Sequence, residues 1–315
     1  MQSIRMTLPR RVGSYLLLER LGHGGMAEVF LARAVGASGF EKRIAIKMLQ
    51  EQHRGDAELE RLLIEEAKLG AQLSHRNLLS VQDLGVDDGV YFVRMDLVDG
   101  GDLDALCRPG VPDVPLALLI AEEVALALMY VHSLADPEGR PLGLVHRDVS
   151  PSNVLLSKDG NVLLADFGIA KATKLVTNTQ AQIRRGKYAY MSPEQIAGAP
   201  LSSRSDQFGF GVMLHELLLG RRPYDGASPL ETMDRIKEAA PVDLSALEAD
   251  LGAIVGTCLA RDPEERFETA EALQRALSSA RRRREAASSL DLARWVRDHD
   301  PQPSLARTTT RTMTD

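Results

Sequence analysis

Apolar residues come in short runs over the first hundred positions and take on a helical spacing after that. Tyr15 to Leu18 is apolar, Gly22, Gly24 and Gly25 interrupt, and Val29, Phe30 and Leu31 resume. This predicts a strand, a glycine-rich turn and a second strand within residues 14–33. Ile44 to Leu49 predicts a third strand. From Ala57 to Leu73 the period lengthens, with Leu59, Leu62, Leu63, Ala67, Leu69 and Gly70 on one face, as in a helix. Leu78 to Leu84 and Val90 to Leu97 read as two more strands.

From Val114 helices dominate: Leu116 to Leu134, Asp206 to Leu219, Pro229 to Ala239, Ala246 to Leu259 and Thr269 to Ala280. Short β segments are expected at Val154 to Leu156 and Val162 to Leu164. Beyond Arg281 a basic, polar linker leads to a short amphipathic segment, Leu290 to Val296 with Trp295, and then to a Thr-rich end, Thr308 to Thr314, expected to be disordered. The predicted class is α+β, a β-rich part with one helix followed by a mainly helical part.

Length and charge narrow this picture. At 315 residues the chain can form two domains or one two-lobed unit. With 44% apolar and 26% charged residues it is an ordinary globular composition. A net charge of -6 argues against general nucleic-acid binding, and the run Arg281 to Arg284 reads as a solvated helix end. Cys107 and Cys258 fall outside any CxxC or Cys/His cluster and are expected to be reduced, buried thiols. The N-terminal residues lack an apolar core of the secretory type, and the apolar stretch Leu116 to Val131 is interrupted by Glu122 and Glu123. A buried helix, no membrane span and a cytoplasmic location are the expectations.

Candidate chemistry begins at the turn Gly22-His23-Gly24-Gly25-Met26-Ala27-Glu28-Val29. It joins two strands, so its backbone can close over phosphates without Cβ clashes, whereas a dinucleotide fingerprint would open into a helix. Lys47 follows on the next strand, and Glu66 on the next helix is placed to pair with it, with Glu65 the adjacent alternative. The segment His146-Arg147-Asp148-Val149-Ser150-Pro151-Ser152-Asn153 supplies an acid, Asp148, able to accept a hydroxyl proton. Asn153 and Asp166, the latter in Asp166-Phe167-Gly168, are hard oxygen donors suited to Mg²⁺.

In order and spacing these motifs resemble those of the bacterial Hanks-type (PknB-like) serine/threonine protein kinases, over roughly Ser14 to Ala280. Met191-Ser192-Pro193-Glu194-Gln195 closes the activation segment in the manner of that family. Asp206 stands where the family has an Asp that braces the catalytic loop, and Arg266 where it has the partner of the segment's Glu. The resemblance implies a kinase domain over 14–280, with an N-lobe of about 14–95, a C-lobe of about 99–280 and ATP between them. Residues 281–315 would follow as linker and tail.

The same resemblance implies transfer of the γ-phosphoryl group of Mg-ATP, with Mn²⁺ an alternative metal, to Ser or Thr of protein substrates, and autophosphorylation through a homodimer. A pseudokinase scaffold and a small-molecule kinase are the rival readings. Leu21, Gly22, Gly24, Gly25, Val29, Ala45, Lys47 and Leu155 would enclose the nucleotide, with Met95 as gatekeeper, backbone of Asp96 and Val98 at the adenine and Asp102 toward the ribose. Arg147 would pair with phosphate on the activation segment, where Thr179, Thr177 and Thr173 are the acceptors in that order of preference. Two positions depart from the family together. Ser150 replaces the usual catalytic-loop Lys, and Lys187 replaces a Thr that touches that Lys, so Lys187 is the candidate substitute cation.

Overall fold

The structure, a computed structural model, describes residues 8–35, 40–167 and 186–300. They divide into two compact units. The first holds the described residues to Ser74 together with Leu79–Leu97, and the second His75–Leu78 with the described residues from Val98 onward.

The first unit is an antiparallel sheet and one helix. Strands β1 (Arg10–Val12), β2 (Tyr15–His23), β3 (Ala27–Val35), β4 (Glu41–Leu49), β5 (Val81–Asp87) and β6 (Val90–Met95) lie in the order β1-β2-β3-β4-β6-β5. Both faces of the central strands are apolar. Leu17, Phe30, Ile44, Ile46, Met48 and Phe92 form one cluster. Ala45, Leu49, Val93 and Met95 form the other, against Leu59, Leu62, Leu63 and Ala67 of helix α1 (Ala57–Gln72). Two covered faces explain why residues 44–49 of β4 are all buried, and apolar but for Lys47, rather than alternating. Asp56 starts α1 by accepting hydrogen bonds from the Glu58 and Leu59 amides at 3.0 and 3.1 Å.

Two local expectations change. The strand expected from Leu78 begins at Val81, because Leu78 pairs with Leu164 in the second unit. Strand β1 was not legible, since Arg10 and Arg11 are exposed and only Val12 points inward.

The second unit contains strands β7 (Gly100–Asp102), β8 (Val154–Ser157) and β9 (Val162–Leu164), and the helices α2 (Leu103–Leu106), α3 (Val114–His132), α4 (Pro193–Ala197), α5 (Ser203–Leu219), α6 (Pro229–Glu238), α7 (Ala249–Cys258), α8 (Ala270–Arg282) and α9 (Ser289–His299). Helix α3, at 19 residues, is long and apolar enough to cross a bilayer, but two thirds of it is buried within the fold. Of its two glutamates, Glu122 is met by Arg281 at 2.8 Å and Gln274 at 3.1 Å, both from α8. A buried carboxylate with an Arg partner is the mark of a core helix packed on a neighbour.

Helix α5 is buried over most of its length, its polar residues Ser205, Asp206, Gln207 and His215 included. At Gly209 an added Cβ would lie 2.9 Å from the Val149 carbonyl oxygen and 3.0 Å from that of Tyr190, so glycine is what lets α5 touch both segments at once. The expected amphipathic segment is the full helix α9, capped by Ser288 and burying Leu292, Ala293 and Val296. Arg297 at its end donates to the Lys158 carbonyl at 2.6 Å, and Lys158 ion-pairs with Asp300 at 2.7 Å and Asp99 at 3.0 Å. The Thr-rich end lies outside the described residues.

The basic run at 281–284 is only half exposed. Arg282 and Arg283 face solvent, whereas Arg281 holds Glu122 and Arg284 forks onto Asp250 at 2.6 and 2.9 Å and reaches Glu248 at 2.8 Å. The Arg284 hydrogen bonds hold the Asp250 carboxyl down at about 2. Since that value is depressed from about 3.9 in an unfolded chain, the pair stabilises fully above about pH 4 and is lost as pH falls toward 2. Arg284→Ala should therefore melt below the parent at pH 7, with the gap closing between pH 4 and 2. A gap that stays constant over that window would show that Asp250 is not the partner that matters.

Candidate active site

In the first unit the glycine turn is built by β2 and β3. Gly24 donates to the Ala27 carbonyl at 2.6 Å, and a Cβ at Gly24 would meet that oxygen at 2.5 Å, so no larger residue fits the turn. Gln50, at the end of β4, donates its backbone amide to the Met26 carbonyl at 2.9 Å and its side chain to the Gly24 carbonyl. Glu28 accepts from Arg20 at 2.8 Å, with His23 Nδ1 at 3.1 Å. Burial would raise the Glu28 carboxyl, but the bonds and charges of Arg20 and His23 together outweigh it and the net shift is downward. The hairpin is thus tied at both ends, while Leu21, Gly22, Gly25 and Val29 are partly exposed to exposed around it.

Lys47 points from β4 to α1 and donates to Glu66 Oε1 at 2.7 Å. The alternative is resolved by the rotation of α1: Glu65 faces outward and pairs with Arg61 at 2.9 Å. Ala45 and Met95 are opposite each other on β4 and β6. The Asp96 amide donates to the Ser80 carbonyl at 3.1 Å.

In the second unit the acid stands on a heavily braced loop. Arg147 adopts a left-handed backbone at φ 68°, unusual for a non-glycine residue and sustained only where the surroundings enforce it. The bracing comes from Asp206 on α5, whose carboxylate accepts the His146 and Arg147 amides, each at 2.7 Å, and lies 2.8 Å from His132 Nε2. Gln195 Nε2 donates to the Arg147 carbonyl at 2.9 Å. Burial keeps the His146 imidazole below its usual pKa, so at neutral pH its Nδ1 can accept the Asp148 amide at 3.4 Å.

Asn153 closes this loop by donating Nδ2 to the Asp148 carbonyl at 2.8 Å and accepting the Ala165 amide on its own carbonyl at 2.8 Å. The second bond brings Asp166, also left-handed at φ 57°, next to Asn153. Lys187 Nζ lies 2.9 Å from Asp148 Oδ2 and 2.9 Å from Asn153 Oδ1. Ser150 is buried, with its Oγ 3.2 Å from Ser152 Oγ.

Among the remaining expected residues, Val98 and Leu155 are half-buried, with Leu155 on β8 facing Asp102 on β7 across the strand pair. Asp102 caps α2 by accepting the Ala105 amide at 2.8 Å, and burial holds its carboxyl above the usual range. Thr173, Thr177 and Thr179 lie outside the described residues. Sequence reasoning missed His132, Gln195 as a partner of Arg147, and Asn77, which is buried and donates to Glu123 at 2.6 Å and to the Val162 carbonyl at 3.0 Å. None belongs to a local pattern that would have announced it.

Among the described residues no cluster of three or more His, Cys, Asp or Glu could hold a metal by itself. One carboxylate and one carboxamide suit a divalent cation that takes its other ligands from phosphate and water.

Comparison with known proteins agrees with this geometry. A family model described as a protein kinase domain matches residues 15–277. The chain is similar to the tyrosine-protein kinase MasK of Myxococcus xanthus, 36% identical over 85% of this chain and 43% of that protein. It is 36% identical to the serine/threonine-protein kinase PkaA of Streptomyces coelicolor over 85% of this chain and 50% of PkaA. To PrkC of Bacillus subtilis, another serine/threonine-protein kinase, it is 32% identical over 87% and 42%. It therefore spans about half the length of these curated relatives, or slightly less. Among solved structures, the kinase domain of Mycobacterium tuberculosis PknI matches 88% of this chain and 99% of its own, with a TM-score of 0.65 at 30% identity.

Proposed function

Because this chain belongs to the protein kinase family, we propose that it transfers the γ-phosphoryl group of ATP to serine and threonine hydroxyls of proteins. The observation that carries the reading is Asp148, an acid whose main chain is pinned from both sides and whose carboxylate is held by a lysine. Asp148 takes the proton of the acceptor hydroxyl. Lys47, held by Glu66, is the ligand for the α- and β-phosphates, and the Gly24 turn presents backbone amides to them. Asn153 and Asp166 would hold Mg²⁺, which would supply positive charge against that developing on the transferred group.

The presence together of Lys47, Asp148, Asn153 and Asp166 favours catalysis over a pseudokinase scaffold. The Ser192 to Glu194 segment, with Glu194 gripped by Arg266, favours protein over small-molecule acceptors. The serine and threonine preference is supported by the resemblance to PkaA and PrkC, both named for it.

Mass spectrometry of the protein expressed with and without Asp166→Asn tests the reading. The parent should carry phosphate on Thr179 or Thr177, placed there by a second copy, and Asp166→Asn should carry none. Equal phosphate on both would mean that another kinase put it there. Phosphotyrosine as the main product would move the acceptor to the class that the name MasK states.

A further inference from the structure

In the preceding reading Lys187 only holds the Asp148 carboxylate, and its charge is given no part in the transfer. Its ammonium reaches two groups 39 and 34 residues away in sequence, the Asp148 carboxylate and the Asn153 carboxamide oxygen. Neither contact is incidental to the loop. Asn153 has already committed Nδ2 to the Asp148 carbonyl, so Oδ1 is its remaining polar atom and the only one able to meet a cation. Ser150, between them in sequence, is buried and uncharged and has its hydroxyl 3.2 Å from Ser152 Oγ. It brings no positive charge to the site.

The base on which Lys187 stands is rigid. Gly186, left-handed at φ 67°, starts the single turn Lys187–Tyr190. Tyr190 then donates its hydroxyl to Glu216 on α5 while its carbonyl packs against Gly209. Ser192 caps α4, and Gln195 at the third position of that helix grips the Arg147 carbonyl at 2.9 Å. The segment bearing Lys187 and the loop bearing Asp148 are thus fastened to each other and to one helix. A cation so fixed is preorganised, which is the condition under which a charge stabilises a transition state at little reorganisation cost.

We propose that Lys187 is the cation that stabilises the transferred phosphoryl group, and that before nucleotide binds it holds Asp148 and Asn153 in their working positions. The proposal rests on the kinase reading and deepens it. In the step, the acceptor oxygen forms its bond to the γ-phosphorus and the bond to the β–γ bridging oxygen breaks. The electron pair leaves on ADP, and the acceptor's proton passes to Asp148. The charge spread over the γ-phosphoryl oxygens is met by Lys187. A metal ion held at Asn153 Oδ1 would repel the ammonium 2.9 Å from that atom, which favours a turn of Lys187 toward phosphate.

The test compares the parent with Lys187→Met, Lys187→Arg, Lys187→Thr and the exchange Lys187→Thr with Ser150→Lys. The readouts are kcat on a generic protein substrate and, by fluorescence, the affinities for ADP and for a non-hydrolysable ATP analogue. Lys187→Met should lower kcat by about 10²- to 10³-fold. It should also weaken the analogue by about tenfold or more relative to ADP, because a charge-assisted contact to the γ-phosphate is lost. Lys187→Arg should retain the analogue preference, and the double exchange should recover at least tenfold of the kcat lost by Lys187→Thr. An active parent with Lys187→Met within threefold of it, or with an unchanged analogue-to-ADP ratio, overturns this role alone. A parent that transfers no phosphate overturns the kinase reading as well, so the two failures are distinguishable.

Discussion

Asp148→Asn should lower kcat for protein phosphorylation by about 10²- to 10⁴-fold, the usual contribution of a positioned general base. Few substitutions are so clean at this site. The Asp148 amide lies 3.4 Å from His146 Nδ1 and its carbonyl accepts Asn153 Nδ2 at 2.8 Å, and both bonds belong to the main chain. An asparagine carbonyl can still accept from Lys187, which is 2.9 Å from Oδ2 in the parent. What the variant lacks is a group that can take a proton. Affinity for ADP should stay within about threefold while kcat collapses, the signature of an interaction made only in the transition state. If Asp148→Asn keeps most of its activity, the base is elsewhere and the site must be reassigned.

Arg266→Ala should cost the second unit about 3–5 kcal/mol, because it strands a buried carboxylate. Arg266 is almost fully buried and all five of its N–H donors are matched. Two fork onto Glu194 at 2.7 and 3.0 Å, and the others reach the carbonyls of Ala260, Arg204 and Arg261 at 2.9, 2.9 and 3.3 Å. The guanidinium also lies over the Phe208 ring, 5.1 Å from its centre. Burial would raise the Glu194 carboxyl, but the Arg266 bonds and charge, with smaller hydrogen bonds beside them, together hold it below its usual range.

With the folded value depressed, the pair's contribution is complete above about pH 4.3 and declines as pH falls further. Urea melts at pH 7 should show the full loss, and Arg266→Lys should recover only part, since an ammonium cannot make the planar fork. A loss below about 1 kcal/mol would mean the site relaxes to admit water. Glu194 shares α4 with Gln195, so the same substitution should loosen the grip on the Arg147 carbonyl.

How much of this was legible depended on distance along the chain. The β2–β3 turn, β4 with Lys47, and the loop from His146 to Asn153 were legible because each is a short run whose side-chain pattern and chemistry sit together. The central strands and the major helices were legible for the same reason, since periodicity is a local property. Of the short elements, β8 and β9 were read from their apolar runs, but β7, which contains Gly100-Gly101, and α2, with four residues, gave no such run.

Residue order alone determined that the chain is α+β, with a β-rich part before a helical one, and which residue types could bind phosphate, metal and a proton. Tertiary structure alone decided between neighbours and joined strangers. The rotation of α1 turns Glu66 rather than Glu65 to Lys47, a difference of about 100° that a spacing of one residue makes but composition cannot rank. The bonds from the His146 and Arg147 amides to Asp206, and from Lys187 to Asp148 and Asn153, close where α5 packs at Gly209 against both segments. Arg281 found Glu122 from 159 residues away, and α9 found its place beside β7 and β8. Local patterns follow from backbone periodicity, which the chain carries with it. Charge pairs across long loops exist only after the apolar faces have closed and set the distances, so they belong to the packing.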